Sequence, residues 1–263
     1  MPSIRHRADR PDKPGGVSEP LRRDGTCLSW LDPGAVPGGT RPQLGNPWNT
    51  SPVIPLRHVA TWIGLLAFYV AIACAFLWPL PTALDTHIWG DRFDAWTTLW
   101  LIDHLGDGLA NGDLTSHTTE ILFPFGYDLW SFGHVALQGI GGVMVAFGLP
   151  LVLSYNLLLV GGLATSGLAA HALGRTLSRD HLGGVVAGVT FCTTPYLYGE
   201  GAAGCIELVS AGFLPLFALT LVRVARAPGW RTAVPAALVL AITGPFNWYY
   251  TLFSGMMGLG IAA

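Results

Sequence analysis

The feature that most limits the folds open to this chain is an uncharged, apolar run at positions 59–80, VATWIGLLAFYVAIACAFLWPL. An α-helix needs about 20 such residues to cross the hydrocarbon core of a bilayer. Further apolar runs follow at 134–149, 151–174, 182–198, 206–221 and 232–250. Because every backbone N–H and C=O group inside a bilayer must be paired, these runs predict an all-α membrane protein with about five or six transmembrane helices.

The composition agrees with this class. Hydrophobic residues make up 51% of the chain and charged residues only 11%, which is unusual for a soluble domain of this size. A net charge of -2 provides no basic field, so nucleic acid is excluded as an expected partner. The four cysteines lie far apart without CxxC spacing, so neither a disulfide framework nor a zinc site is expected.

Residues 1–57 differ from the rest of the chain. They carry eight of the Lys and Arg residues, many Pro and Gly, and no apolar periodicity, which predicts a disordered basic tail. The excess of positive charge before the first span predicts a cytoplasmic N-terminus. We therefore expect a multi-pass protein of the inner (plasma) membrane, with residues 58–263 forming the transmembrane domain and residues 81–132 an extracytoplasmic loop.

The basic connections leave two topologies open. Arg175 and Arg179 form one basic connection, and Arg223, Arg226 and Arg231 form the next, two spans later. If both are cytoplasmic, residues 134–174 cross the membrane once, and the short, Gly-rich run 134–149 is a re-entrant or juxtamembrane element. The alternative is two full crossings, which places the first of these connections outside.

The loop 81–132 holds eight of the sixteen acidic residues and a single basic residue, Arg92. Within 88–109, the spacing of Phe93, Trp96, Trp100 and His104 predicts one face of a juxtamembrane helix lying at headgroup depth. Asp91 begins this helix and Asp94 follows three residues later. The two carboxylates have a purely structural explanation, as an N-cap and a first-turn charge, or they take part in chemistry.

Near the end of the loop, the segment FPFGYDL at 123–129 predicts a turn, because Pro124 fixes one backbone dihedral and Gly126 permits another. Aromatic rings beside Tyr127 and Asp128 suit sugar binding. Anchoring of the loop at the membrane interface explains them equally well. His87, His104 and His117 lack a tight metal-binding spacing, so no metal site is predicted.

Two further carboxylates, Glu200 and Glu207, lie at the edge of apolar runs, in PYLYGEGAAGCIE. A carboxylate at such a position is costly and is usually retained for a partner or a task. The other explanation is that both side chains lie in the headgroup zone.

These segments, taken in order, resemble a known superfamily. A charged N-terminus, one span, an outer loop with WGD near its start and FPFGYDL near its end resemble the GT-C superfamily of polytopic membrane glycosyltransferases. YNLLLVGGLATSGLAAHALGRTLSRDHLGGVVAGVTFCTTPYLYGEG, FLPLFALTLVRVARAPGWR and NWYYTLFSG are similar to its uncharacterised bacterial branch. Relatives of this type have more spans, so the resemblance implies that the chain is an N-terminal portion.

The resemblance implies transfer of a sugar, such as a hexose, from a polyprenyl-phosphate donor to a glycan, lipid or protein acceptor. Asp91 of WGD matches the catalytic base of such enzymes, with Asp94 as the second choice or an orienting partner. Arg92, His87, His117 or a divalent cation would stabilise the leaving phosphate. Beyond this motif, we expect substrate contacts from Tyr127, Asp128 and Glu200.

A second class of function stays open. Glu200, Glu207 and His171 would lie on a proton or substrate path if the chain were half of a transporter, and a non-catalytic membrane scaffold is a further alternative. His171 follows Gly162, Ser166 and Ala170, whose spacing is typical of close helix packing.

Overall fold

The computed structural model describes residues 56–90, 93–113, 115–132 and 135–262. The predicted basic tail therefore lies outside the described residues almost completely, as do Asp91 and Arg92. Ten α-helices are described: α1 (Leu56–Phe76), α2 (Phe93–Asn111), α3 (Ala136–Ala146), α4 (Leu151–Ser178), α5 (His181–Cys192), α6 (Pro195–Ala203), α7 (Ile206–Val209), α8 (Phe213–Arg226), α9 (Trp230–Phe246) and α10 (Trp248–Ala262).

A short antiparallel hairpin interrupts this mostly helical architecture between α2 and α3. Its strands are β1 (His117–Thr118) and β2 (Tyr127–Asp128), with His117 opposite Asp128 and Thr118 opposite Tyr127. Single 3₁₀ turns at Leu80–Thr82 and Leu129–Phe132 complete the described elements of this region. The sequence did not predict the hairpin, because two-residue strands carry no periodicity.

Three described segments are long and apolar enough to cross a membrane: Val59–Phe76, Leu151–Ser178 and Ile206–Arg226. This count is lower than the five or six helices predicted from the apolar runs. The reason is that breaks within the runs shorten the helices. The run 182–198 is divided between α5 and α6 at Thr194, where Pro195 begins the new helix, and α9 ends at Phe246, before Asn247 in extended conformation.

The apolar run 134–149 also forms a short helix. Of the run 134–149, α3 contains 11 residues, which corresponds to about 16 Å at 1.5 Å per residue. The following helix, α4, contains 28 residues. These lengths fit a single crossing of 134–174 by α4, with α3 beside the crossing helix. The sides of the membrane that the helix ends face remain an expectation from the charge distribution.

The core is built around α4, which contacts α1, α2, α3, α5, α7 and α8. Tyr155, Leu159 and Leu163 of α4 are fully or almost fully buried, and they pack with buried residues of α1, α2 and α7. Small residues permit the closest approaches: Gly162 faces Ser210, and the Ser166 hydroxyl donates to the Val209 carbonyl at 3.2 Å. The small-residue stripe of α4 is therefore a helix-packing surface.

Candidate functional site

The segment that precedes Asp91 is tied to the second turn of α4. The Asn156 side-chain amide donates to the carbonyls of Leu84 and His87, at 2.8 and 2.7 Å. The neighbouring Tyr155 hydroxyl donates to the Trp89 carbonyl at 3.0 Å. Both side chains are completely buried. An unpaired buried carbonyl costs about 1–3 kcal/mol, so these three bonds hold residues 84–89 in one position on the core helix.

The residues on either side of Asp91 lie against the C-terminal end of α6. Gly90 has φ +113°, and a Cβ atom built on it would lie 3.2 Å from the Gly201 carbonyl oxygen. Gly204 has φ +89°, and a Cβ atom there would lie 2.3 Å from the Ala95 backbone nitrogen. The Thr98 hydroxyl also donates to the Gly204 carbonyl at 3.4 Å. The first turn of α2 and the α6–α7 connection are therefore in direct backbone contact.

This contact brings together carboxylates that are far apart in the sequence. The Cys205 thiol donates to Oδ2 of Asp94 at 3.3 Å, across 111 positions of the chain. Burial raises the pKa of the Cys205 thiol, and so do the hydrogen bond to Asp94 and the negative charges of Glu207, Asp94 and Glu200. One carboxylate, that of Asp94, contacts this thiol, and the charges of Glu200 and Glu207 also act on it. We call these four residues, Asp94, Glu200, Cys205 and Glu207, the carboxylate cluster.

Two buried polar atoms next to the cluster have no hydrogen-bond partner among the described residues: Oε2 of Glu207 and Nε1 of Trp89. The Trp89 indole packs edge-to-face on Tyr198, with ring centroids 5.4 Å apart, and lies beside Gly201. Buried polar atoms are nearly always paired in folded proteins. An acceptor and a donor left open at this junction are suited to a polar ligand.

The structure places the sequence-predicted residues in two groups. Asp94 and Glu200 belong to the carboxylate cluster, and His87 lies in the segment tied to α4, with Nδ1 3.0 Å from the Thr86 hydroxyl. Asp91 and Arg92 lie outside the described residues, between Gly90 and Phe93 in the sequence.

The second group lies farther along α2. His117, Tyr127 and Asp128 come together in the hairpin, and the hairpin contacts α2 through Glu120. The Glu120 carboxylate accepts from Trp100 Nε1 at 2.8 Å and lies 3.1 Å from His104 Nδ1. His104 follows Asp94 by ten positions, about 15 Å along the helix axis.

The predicted aromatic face of α2 is divided. Trp100 and His104 stack on each other and are partly covered, while Trp96 is 63% exposed. The sequence analysis did not identify Tyr155, Asn156, Cys205 or Gly204. Asn156 carried a usable signal, because a polar amide within an apolar run must find partners. The sequence carries no signal for the other three, because their role depends on the contact between α2 and α6.

Within the described residues, no group of three or more His, Cys, Asp or Glu side chains is arranged to hold a metal ion. Comparison of the chain with protein-family models, with curated proteins and with solved structures gives no match.

The contact between Asp94 and Cys205 predicts how the thiol reacts. In a variant that retains only Cys205, we expect slow alkylation at pH 8, because a raised thiol pKa leaves little thiolate. Replacing Asp94 by Asn removes one negative charge and should lower that pKa. Each unit changes the thiolate fraction tenfold, so we expect alkylation to accelerate on the order of tenfold.

The measurement is the rate at which a small maleimide modifies Cys205, monitored by mass spectrometry. Asp107→Asn is the matched control, since Asp107 is exposed farther along the same helix. Equal rates in Asp94→Asn and its parent would contradict the contact.

Proposed function

We propose that this chain is an integral membrane glycosyltransferase of the GT-C type, or the N-terminal portion of one. It transfers a sugar from a polyprenyl-phosphate donor to a glycan, lipid or protein acceptor. In this proposal the protein lies in the plasma membrane with its N-terminus in the cytoplasm, and residues 81–132 and the α6–α7 connection share the outer face.

The observation that carries this proposal is the contact between the WGD segment and the α6–α7 connection. Gly90 and Asp94, on either side of Asp91, lie against Gly201 and Cys205. The residues before and after the proposed base in the sequence are therefore held in place, and Asp94 belongs to the carboxylate cluster. Anchoring of this kind is what positions a catalytic group against its substrate.

In the proposed reaction, the carboxylate of Asp91 accepts the proton of the acceptor hydroxyl as that oxygen attacks the anomeric carbon. The bond between the anomeric carbon and the phosphate oxygen breaks, and the polyprenyl phosphate leaves with the electron pair. Attack from the opposite side inverts the anomeric configuration. Asp94, beside the base, orients it or the acceptor.

The leaving phosphate needs positive charge or hydrogen-bond donors. Arg92 and His87 belong to the segment that carries the base, whereas His117 belongs to the hairpin group. We therefore assign the phosphate to Arg92 and His87. A divalent cation is the alternative source of positive charge for this step.

A cavity between the helices suits the apolar part of the donor. Residues of α3, α4, α8 and α9 line a cavity of about 400 Å³, including Leu137, Met144, Leu158, Phe213 and Leu216. Its lining is mostly hydrocarbon, which suits an isoprenoid chain.

The transporter alternative requires His171 and the two glutamates to share a path. His171 is buried, and its Nδ1 lies 3.0 Å from the Tyr69 hydroxyl. It follows Tyr155 by 16 positions of α4, about 24 Å along the helix axis. Because Tyr155 lies at the carboxylate cluster, this separation favours the transferase.

A transfer assay tests the proposal. Membrane vesicles that contain the chain are supplied with a panel of synthetic polyprenyl-phosphate monosaccharides, and released polyprenyl phosphate is measured by mass spectrometry. We expect release with at least one donor and none in vesicles without the chain. Solute or proton flux without any release would contradict the proposal and favour the transporter.

A further inference from the structure

The turn at the tip of the hairpin carries an unusual amount of exposed hydrocarbon. Leu122, Phe123 and Phe125 are 65%, 82% and 87% exposed. Phe125 is the most exposed large apolar side chain in the described part of the chain. We call these three residues the apolar tip. Single exposed apolar residues are ordinary on protein surfaces, but three within four positions mark an interaction site.

The backbone of the turn holds these side chains outward. Leu122 adopts φ +54° and Gly126 φ +73°, and the Leu122 carbonyl accepts from the N–H groups of Phe125 and Gly126, at 3.0 and 3.1 Å. The His117 ring lies directly beneath Gly126, where a Cβ atom would lie 2.4 Å from its Nε2. The pairing of β1 with β2 closes the base of the turn. The tip is thus presented by an ordered turn, which lowers the entropy cost of binding.

The chemistry of the tip favours hydrocarbon as its partner. Phe and Leu side chains have no hydrogen-bonding groups, so they cannot select hydroxyls or charges. Among the polar side chains of the loop, Trp100, His104 and Glu120 are engaged with one another near the base of the hairpin. A sugar site needs polar groups beside the ring, whereas a lipid surface needs only apolar area.

The helix that follows the hairpin, α3, also exposes apolar side chains. Ile140 and Val143 of α3, and Phe147 just after it, are 41%, 43% and 84% exposed, at the spacing of one helix face. The opposite face of α3 packs on α2 and α4. Since α4 is long and apolar enough to span the membrane, the exposed stripe of α3 is suited to face lipid.

From these observations we propose that the apolar tip inserts into the boundary between headgroups and acyl chains of the bilayer that α4 crosses. The loop would then be attached to the membrane at its tip as well as through α1 and α3. This proposal does not depend on the catalytic function.

Photolabelling of the wild-type chain tests the insertion directly. The chain is placed in phosphatidylcholine vesicles that contain a phospholipid with a diazirine on its acyl chain, irradiated, and mapped by mass spectrometry. We expect adducts at 122–125 and on the exposed face of α1, where Ile63 is 62% exposed. We expect none at 107–113, on the exposed end of α2. Adducts on α1 without any at 122–125 would overturn the proposal.

A second measurement uses nitroxide labels on a background without native cysteines. We expect Phe125→Cys to give a label that collides more with oxygen, which partitions into lipid, than with a water-soluble nickel chelate. Asp107→Cys, the matched control, should show the reverse. If both positions show the aqueous pattern, the tip lies in water, and a protein or glycan partner would replace the lipid.

Discussion

The Asp91→Asn variant should lose sugar transfer by about 10²–10⁴-fold, the contribution typical of a general base. Asparagine keeps the size and polarity of the side chain but cannot accept the proton of the acceptor hydroxyl. Membrane insertion and thermal stability should stay unchanged, because α4 holds the preceding segment through the backbone carbonyls of Leu84, His87 and Trp89. The measurement is release of polyprenyl phosphate in vesicles with equal amounts of each variant.

Two further substitutions make this result specific. Asp107→Asn changes an exposed carboxylate of α2 and should retain wild-type transfer. Asp94→Asn changes the neighbour of the proposed base, so it should reduce transfer less than Asp91→Asn. Full activity in Asp91→Asn would remove Asp91 as the base, and a larger loss in Asp94→Asn would transfer that role to Asp94.

Gly204→Ala should both destabilise the protein and abolish transfer. At φ +89° an L-residue is strained by about 1–2 kcal/mol. The new Cβ atom would also lie 2.3 Å from the Ala95 nitrogen, so α2 and the α6–α7 connection must separate. We expect the unfolding midpoint to fall by about 5 °C or more, measured by Trp fluorescence in detergent.

Gly199→Ala is the matched control for this prediction. Gly199 lies in α6, the helix that Gly204 follows. Nothing lies within 4 Å of a Cβ atom built on Gly199. Its variant should unfold and transfer like the wild type. If Gly204→Ala retains both stability and transfer, the contact between the WGD segment and α6 does not support the site.

The sequence predicted the helical class and the helix in the loop, because both depend on local patterns. The apolar runs gave α1 and α4 close to their bounds, and the aromatic spacing within 88–109 corresponds to α2 (Phe93–Asn111). The count of five or six spans is not confirmed, since three described segments are long and apolar enough to cross a membrane. Hydropathy counts apolar residues, whereas helix length is set by breaks such as those at Thr194 and Asn247.

The site was predictable only in part. A carboxylate at the edge of an apolar run is visible in the sequence, and this identified Glu200 and Glu207. Their proximity to Asp94 was not visible, because it depends on two glycines that allow backbones to meet and on the Cys205 thiol between the carboxylates. Three residues were assigned to the site because they share a loop with the proposed base: His117, Tyr127 and Asp128. In the structure they form the hairpin, which lies near the opposite half of α2.

The length of α4 has a consequence for the environment of the site. Its 28 residues extend about 42 Å, well beyond a hydrocarbon core of roughly 30 Å. A helix of this length must tilt or extend beyond the hydrocarbon core. The thickness of the bilayer determines how much it does of each. Because Tyr155 and Asn156 tie residues 84–89 to one end of this helix, acyl-chain length would set the depth of the neighbouring carboxylate cluster in the bilayer.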